Sequence, residues 1–261
     1  MIATMKAELV KMLRRRVMVT AFLLSVVYAV GGAALVLTSV EARPRFGESQ
    51  LTLGSLSAAG GGTDVFSTAI SFAGTFLFVV FVGAFAVEYS RGTFRTMLMR
   101  QPRRVRLLAG KLLGLLAFAA VVLALTEVLT WVTAYILAPS NDVARSMWVS
   151  WDAFGAGFAD YGRVLFWITG YAVLGLMVAV IVRSVPLALG IGIAWAGPVE
   201  HITQNAVSSV TQVFPGLLLE AFVAGGTAEV SATQAFVTLA AYVVVAAVIA
   251  GTLFRRRDMT A

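Results

Sequence analysis

Apolar residues in this chain come in blocks of about twenty, the length of helix that crosses a hydrocarbon core roughly 30 Å thick. Inside lipid every backbone N–H and C=O must be satisfied within the structure, so such blocks form helices. About six candidate spans follow: residues 17–38, 66–87, 107–137, 164–182, 185–205 and 235–254. The third is longer than one crossing needs, so its start is expected in the cytoplasmic interface. The fifth is interrupted by Pro186, Gly190, Gly192, Gly197 and Pro198, with Glu200 and His201 near its end. Hydrophobic residues make up 59% of the 261 and charged residues 13%. A soluble domain carries about 25% charged residues, so one all-α membrane domain, residues 1–261, is the expected organisation. The first run exceeds the usual signal h-region of about 7–15 residues and reads as a retained span.

Positive charge sets the expected orientation. Sixteen of the twenty basic residues fall on one side: Lys6, Lys11, Arg14, Arg15, Arg16, the run from Arg91 to Lys111, Arg183, and Arg255, Arg256 and Arg257. The other side holds Arg43, Arg45, Arg145 and Arg163 and most of the acids. Six spans with both termini cytoplasmic satisfy this pattern. The net charge of +7 is then a topology signal, and no nucleic-acid partner is needed.

Between the spans, residues 1–16 suggest an amphipathic helix on the cytoplasmic surface. Ile2, Met5, Leu9, Met12 and Leu13 would form its lipid-facing stripe, with Lys6, Lys11, Arg14 and Arg15 opposite. The first outer loop, about residues 39–65, is rich in Gly and Ser and contains Gly60, Gly61 and Gly62, so a flexible connection is expected. Trp148, Trp151, Phe154, Phe158 and Tyr161 have helical spacing and suit an outer-interface anchor. Residues 214–226, with Pro215 and Gly216 ahead of Leu217, Leu218 and Leu219, are too short to cross and read as an outer re-entrant hairpin.

The stretch 88–106 and the residues just after it carry the functional signal. Glu88 closes the second span, Gly92 and Thr93 follow, and Phe94, Met97 and Leu98 make an apolar i, i+3, i+4 patch. Arg91, Arg95 and Arg106 surround the patch, Pro102 ends the helix, and Lys111 opens the third span. An apolar patch on a basic helix outside the membrane suits a groove on a cytoplasmic partner. In these positions the chain resembles the membrane subunits of type-2 ABC exporters. The resemblance implies that 88–106 is a coupling helix seated in a separate ATPase subunit. It also implies that residues 1–16 are a connecting helix, and that a second permease chain, identical or homologous, completes the transporter. The motif covers about 25 residues, and the Arg-Arg-Val-Arg after Pro102 departs from the Ser-Arg pair frequent in that family.

No G-x-x-x-x-G-K-[ST] loop is present: Lys111 follows Gly110, but Val105 stands five residues before that glycine and Leu112 follows the lysine. The chain is therefore expected to be no enzyme and to bind no cofactor, with ATP and Mg held by the partner ATPase. A bacterial plasma (inner) membrane, with its lipids as further partners, is the expected setting. Two rival readings remain open. Glu127 lies within the third span, with Thr130 nearby, and suggests a cavity or gate, or an ion-coupled secondary transporter. His201 beside Glu200 raises an intramembrane enzyme, but no G-x-S-x-G elbow accompanies it, and one histidine without cysteine offers no metal site.

Overall fold

The computed structural model describes residues 1–40, 51–71, 73–100 and 103–256. Residues 41–50 of the first outer loop (Glu41, Arg43, Arg45 and Glu48 among them), Pro102 and Arg257 lie outside the described residues. The described chain is almost entirely helical and holds no strand, apart from one isolated bridge between Gly226 and Ser231.

Among the described residues twelve α-helices follow one another. They are α1 (Ile2–Met12), α2 (Arg15–Ser39), α3 (Leu53–Leu56), α4 (Gly61–Ser71), α5 (Gly74–Ser90), α6 (Thr93–Arg100), α7 (Arg104–Leu137), α8 (Trp151–Val182), α9 (Val185–Ala194), α10 (Glu200–Ala206), α11 (Pro215–Val223) and α12 (Ala232–Arg256). Four of them, α2, α7, α8 and α12, are long and apolar enough to cross a membrane. Together α4 and α5 make a fifth candidate, bent by 55°. The second block is thus two helices and not one straight segment over 66–87. The fifth block is helical from Val185 to Ala206, but Trp195–Val199 widens into a π turn around Pro198. Proline has no N–H to donate and its ring crowds the preceding turn, and a π bulge absorbs that misfit.

Sequence punctuation sets the ends. Ser150 accepts a hydrogen bond from the Ala153 N–H (3.1 Å) and starts α8. Arg183, in the left-handed region at φ 56°, ends it. Pro186 and Pro215 stand in the first turns of α9 and α11, where a missing N–H is harmless.

The main core lies where α5, α8, α11 and α12 meet, with Phe85, Trp167, Tyr171 and Leu218 fully enclosed. Gly170 faces α11, where a Cβ would stand 2.7 Å from Leu219 Cδ2. A smaller core joins α2, α4 and the far end of α7 around Leu56, Val65 and Trp148. Two sequence expectations change here. Gly61 and Gly62 open α4, and a Cβ on Gly62 would lie 2.8 Å from the Trp131 ring, so the glycines serve close packing and not a slack linker. Trp148 is buried, its indole donating to the Leu56 carbonyl (2.8 Å), while Trp151, Phe154 and Phe158 remain as an exposed aromatic row.

Candidate functional site

The segment singled out by sequence lies at a junction of five helices. Arg91 and Gly92 turn the chain from α5 into α6, with Gly92 at φ 63°. A glycine reaches that left-handed conformation without steric cost. Helix α6 then presents two faces. Phe94 turns inward, 1% exposed, with its ring centroid 4.7 Å from Tyr89 and 5.1 Å from Phe254 near the end of α12. Both pairs are inclined, the geometry that ring quadrupoles favour. Met97 and Leu98 are half-buried against the same core. Arg91, Arg95, Thr96 and Met99 remain on the open face, Met99 at 75% exposure. The apolar patch expected to meet a partner therefore faces the protein's own core, Phe94 as an internal anchor with Met97 and Leu98 beside it, and Met99 with Arg91 and Arg95 lies on the open face.

An ion cluster lies behind α6. Lys111 of α7, 3% exposed, places Nζ 2.8 Å from Glu88 Oε1 of α5 and 3.2 Å from Glu8 Oε1 of α1. Lys11 reaches the same two carboxylates, 2.8 Å from Glu8 and 3.6 Å from Glu88. The Thr93 side chain also hydrogen-bonds Glu88, which ties the start of α6 to the cluster. Two acids and two bases balance in charge, as burial demands. Burial pulls the Lys11 ammonium toward a lower pKa, but Glu8 and Glu88 together hold it above the ordinary lysine value. The second oxygens of Glu8 and Glu88 are buried and have no hydrogen-bond partner.

Two glycines let α1 come this close. A Cβ on Gly110 would stand 2.6 Å from the Met1 carbonyl oxygen, and one on Gly114 would stand 2.7 Å from Glu8 Cβ. This small-residue seam brings two helix backbones together. The exposed apolar residues expected on the N-terminal helix are there, and the opposite side packs on the protein. Thr4 and Glu8 form its buried face, Lys11 turns toward the protein, and Ile2 and Leu13 are exposed. Further links converge on the junction. The Arg104 guanidinium donates to the Arg255 carbonyl (3.3 Å), and Arg183 lies 5.8 Å from the centre of the Tyr89 ring. Arg106 is exposed.

Of the residues predicted from sequence, Glu88, Thr93, Phe94, Met97, Leu98 and Lys111 come together here. Sequence reasoning missed Glu8, Tyr89, Arg183 and Phe254. Only Glu8 had a signal, as the single acid in an otherwise basic N-terminal segment.

Glu127 and Thr130 do not form a joint site. Thr130 is fully buried and its hydroxyl donates to the Thr126 carbonyl (2.8 Å), while Thr126 donates to Ser25 of α2 (3.0 Å). Glu127 is half-buried on the side of α8, near Gly157. The neighbouring Glu200 and His201 also part company. Glu200 accepts from the N–H groups of Gly216 and Leu217, whereas His201 lies 3.4 Å from Glu220. Among the described residues, no group of three His, Cys, Asp or Glu side chains is arranged to hold a metal ion.

No curated protein matches the chain. A family model described as "Protein of unknown function (DUF2705)" matches residues 47–260, a range that includes α6, Glu88 and Lys111 and leaves out α1. The chain belongs to the DUF2705 family of proteins of unknown function.

Proposed function

We propose that this protein is the membrane-spanning permease subunit of an ATP-driven ABC exporter. In this reading α2, the bent α4–α5 pair, α7, α8, the interrupted α9–α10 path and α12 cross a bacterial plasma membrane six times, with both termini cytoplasmic. A separate ATPase docks on the open face of α6, and a second permease chain completes the transporter. ATP and Mg bind in the ATPase. Closure of the ATPase dimer moves α6, and the spans shift a central cavity toward the outside. Coupling of this kind requires that nucleotide favour one global state of the membrane subunits.

The observation that carries the reading is the division of α6 into an exposed basic face and a buried aromatic anchor. A force on Arg91, Arg95 and Met99 would reach α5 and α12 through Phe94, and α1 and α7 through Glu88 and Lys111. A connecting loop alone would need no such contacts.

The test is mild-detergent purification of the tagged chain from native membranes. An ATPase subunit should accompany the unaltered chain and be lost from the Arg95→Glu/Met99→Asp double variant, whose changed side chains are exposed. A chain that purifies alone even after gentle crosslinking, and that transports on a pH gradient without ATP, would instead favour the ion-coupled reading centred on Glu127.

A further inference from the structure

Beside the π turn lies a cavity of about 240 Å³, well apart from the open face of α6. Its walls come from Phe78 of α5, Leu174, Met177 and Val178 of α8, Ile191 of α9 and Trp195 of the π turn. Leu174, Met177 and Val178 recur at i, i+3, i+4 and form one stripe of α8. They are only half-buried, although Val173, Leu176 and Ala179 around them are buried, because that stripe opens on the cavity.

The lining is almost wholly apolar, and the protein engages the polar groups in it. Glu200 accepts from the Gly216 N–H (3.3 Å), the Leu217 N–H (3.0 Å) and the Trp195 side chain. The Ala196 carbonyl accepts from the Thr75 hydroxyl (2.8 Å), and the Tyr171 hydroxyl lies against Gly74 of α5.

This lining determines what fits. A polar ligand would give up its water and find no partner in exchange. Water itself needs several polar partners, and apolar cavities stay dry. Hydrocarbon is different: an unfilled void leaves the lining atoms without dispersion contacts on one side, and a hydrocarbon restores them. A cavity of about 150 Å³ holds benzene, so this one takes about ten carbon atoms. The mouth identifies the source. Ile191 and Trp195 are exposed at the rim, and Leu187 and Ile193 beside them on α9 are exposed as well. In the six-span reading this flank of α9 lies in the membrane, where the surrounding material is lipid tails.

We propose that this cavity binds the terminal stretch of a lipid acyl chain, which enters sideways from the membrane past Ile191 and Trp195. The proposal rests on the part of the exporter reading in which α9 crosses the membrane, and not on the ATPase.

The test uses the purified full chain in phosphatidylcholine nanodiscs that contain a small fraction of phosphatidylcholine with a diazirine at the end of its acyl chain. After illumination, tandem mass spectrometry locates the adducts. In the parent chain they should fall on Leu174, Met177 or Val178 of the wall as well as on Leu187 and Ile193 of the outer flank. A diazirine next to the ester carbonyl should leave the wall unlabelled, because only the end of the chain reaches in. Val178→Phe fills the cavity and Ile191→Trp narrows its mouth. Either should remove the adducts on Leu174 and Met177 and keep those on Leu187 and Ile193. Ile191→Trp alters an exposed side chain, so it still decides should Val178→Phe fail to fold. Flank adducts without wall adducts, or wall adducts that survive both substitutions, would overturn the site and leave the membrane path of α9 standing. Wall labelling by a free diazirinyl benzene, with none from the lipid tail, would overturn the acyl chain as occupant. No adducts on either the wall or α9 would overturn the site together with the six-span reading. Wall adducts in a chain that purifies without an ATPase would keep this site and remove the exporter reading.

Discussion

At the residue scale the protein depends on Lys111. It lies in α7 with less than a twentieth of its surface exposed, and it faces carboxylates from two other helices. Removing one partner from a buried ionic cluster leaves an uncompensated charge, which costs about 3–5 kcal/mol. Lys111→Met should therefore lower stability by roughly that amount, read as a reduced unfolding midpoint in detergent. Pairing that change with Glu8→Gln should give a double-mutant loss well below the sum of the two single losses, because both act on one contact. Additive losses would show that Glu8 and Lys111 do not interact. Sequence alone singled out Glu88 and Lys111, since a charge at each end of adjacent spans stands out against apolar surroundings. Glu8 stood out only as the lone acid of the N-terminal segment, with nothing to pair it with Lys111. Lys111 is more than a hundred positions from Glu8, and the sequence reading set Lys11 on the polar side of residues 1–16 together with Lys6, Arg14 and Arg15.

Helices obey the same logic at the next scale. Close approach, more than hydrophobic patterning, decides how α1 and α11 sit. Gly110→Val and Gly114→Val should push α1 off α7. The chain has no cysteine, so a single introduced Thr4→Cys reports this without background. Its thiol should resist maleimide in the parent and react quickly in the Gly110→Val background. Equal reactivity in both would contradict the seam. On α11 the Glu200 carboxylate occupies the place where a Gly216 Cβ would project. Gly216→Ala should destabilise the protein by at least as much as ordinary core overpacking, about 1–3 kcal/mol, visible as a lower unfolding midpoint. Sequence marked these elements as helical because the spacing of Ile2, Met5 and Leu9 and the Pro215–Gly216 start before Leu217 are local signals. It missed the 55° break between α4 and α5 and the π turn. Contacts across the bundle accompany both: a Cβ on Gly74 would stand 2.8 Å from the Tyr171 hydroxyl, and Thr75 donates to the Ala196 carbonyl within the π turn around Pro198.

Across the whole molecule the long apolar helices surround one principal core, and the charged segments collect at one end, with α1, α6, the start of α7 and the last turn of α12 joined there. The six-span reading predicts that Arg95 and Met147 lie on opposite sides of the membrane. Arg95→Cys should react with a membrane-impermeant maleimide only after cells are opened, and Met147→Cys in intact cells. Labelling of both from one side would require an odd rearrangement of the spans. The charge asymmetry was legible in the sequence because it depends on counts and not on contacts. The junction around α6 was legible only as a segment: turning Phe94 inward and leaving Met99 outward is fixed by Tyr89 and Phe254, and Phe254 lies at the far end of the chain. That division makes Met99 the position from which to test the central claim. A photo-crosslinking amino acid placed at Met99 in otherwise unaltered cells should, on illumination, give one dominant adduct whose mass spectrum identifies a P-loop ATPase subunit, and the adduct should disappear when Arg95→Glu is added. Adducts with lipid alone, or none, would contradict the assignment of α6 as the docking face.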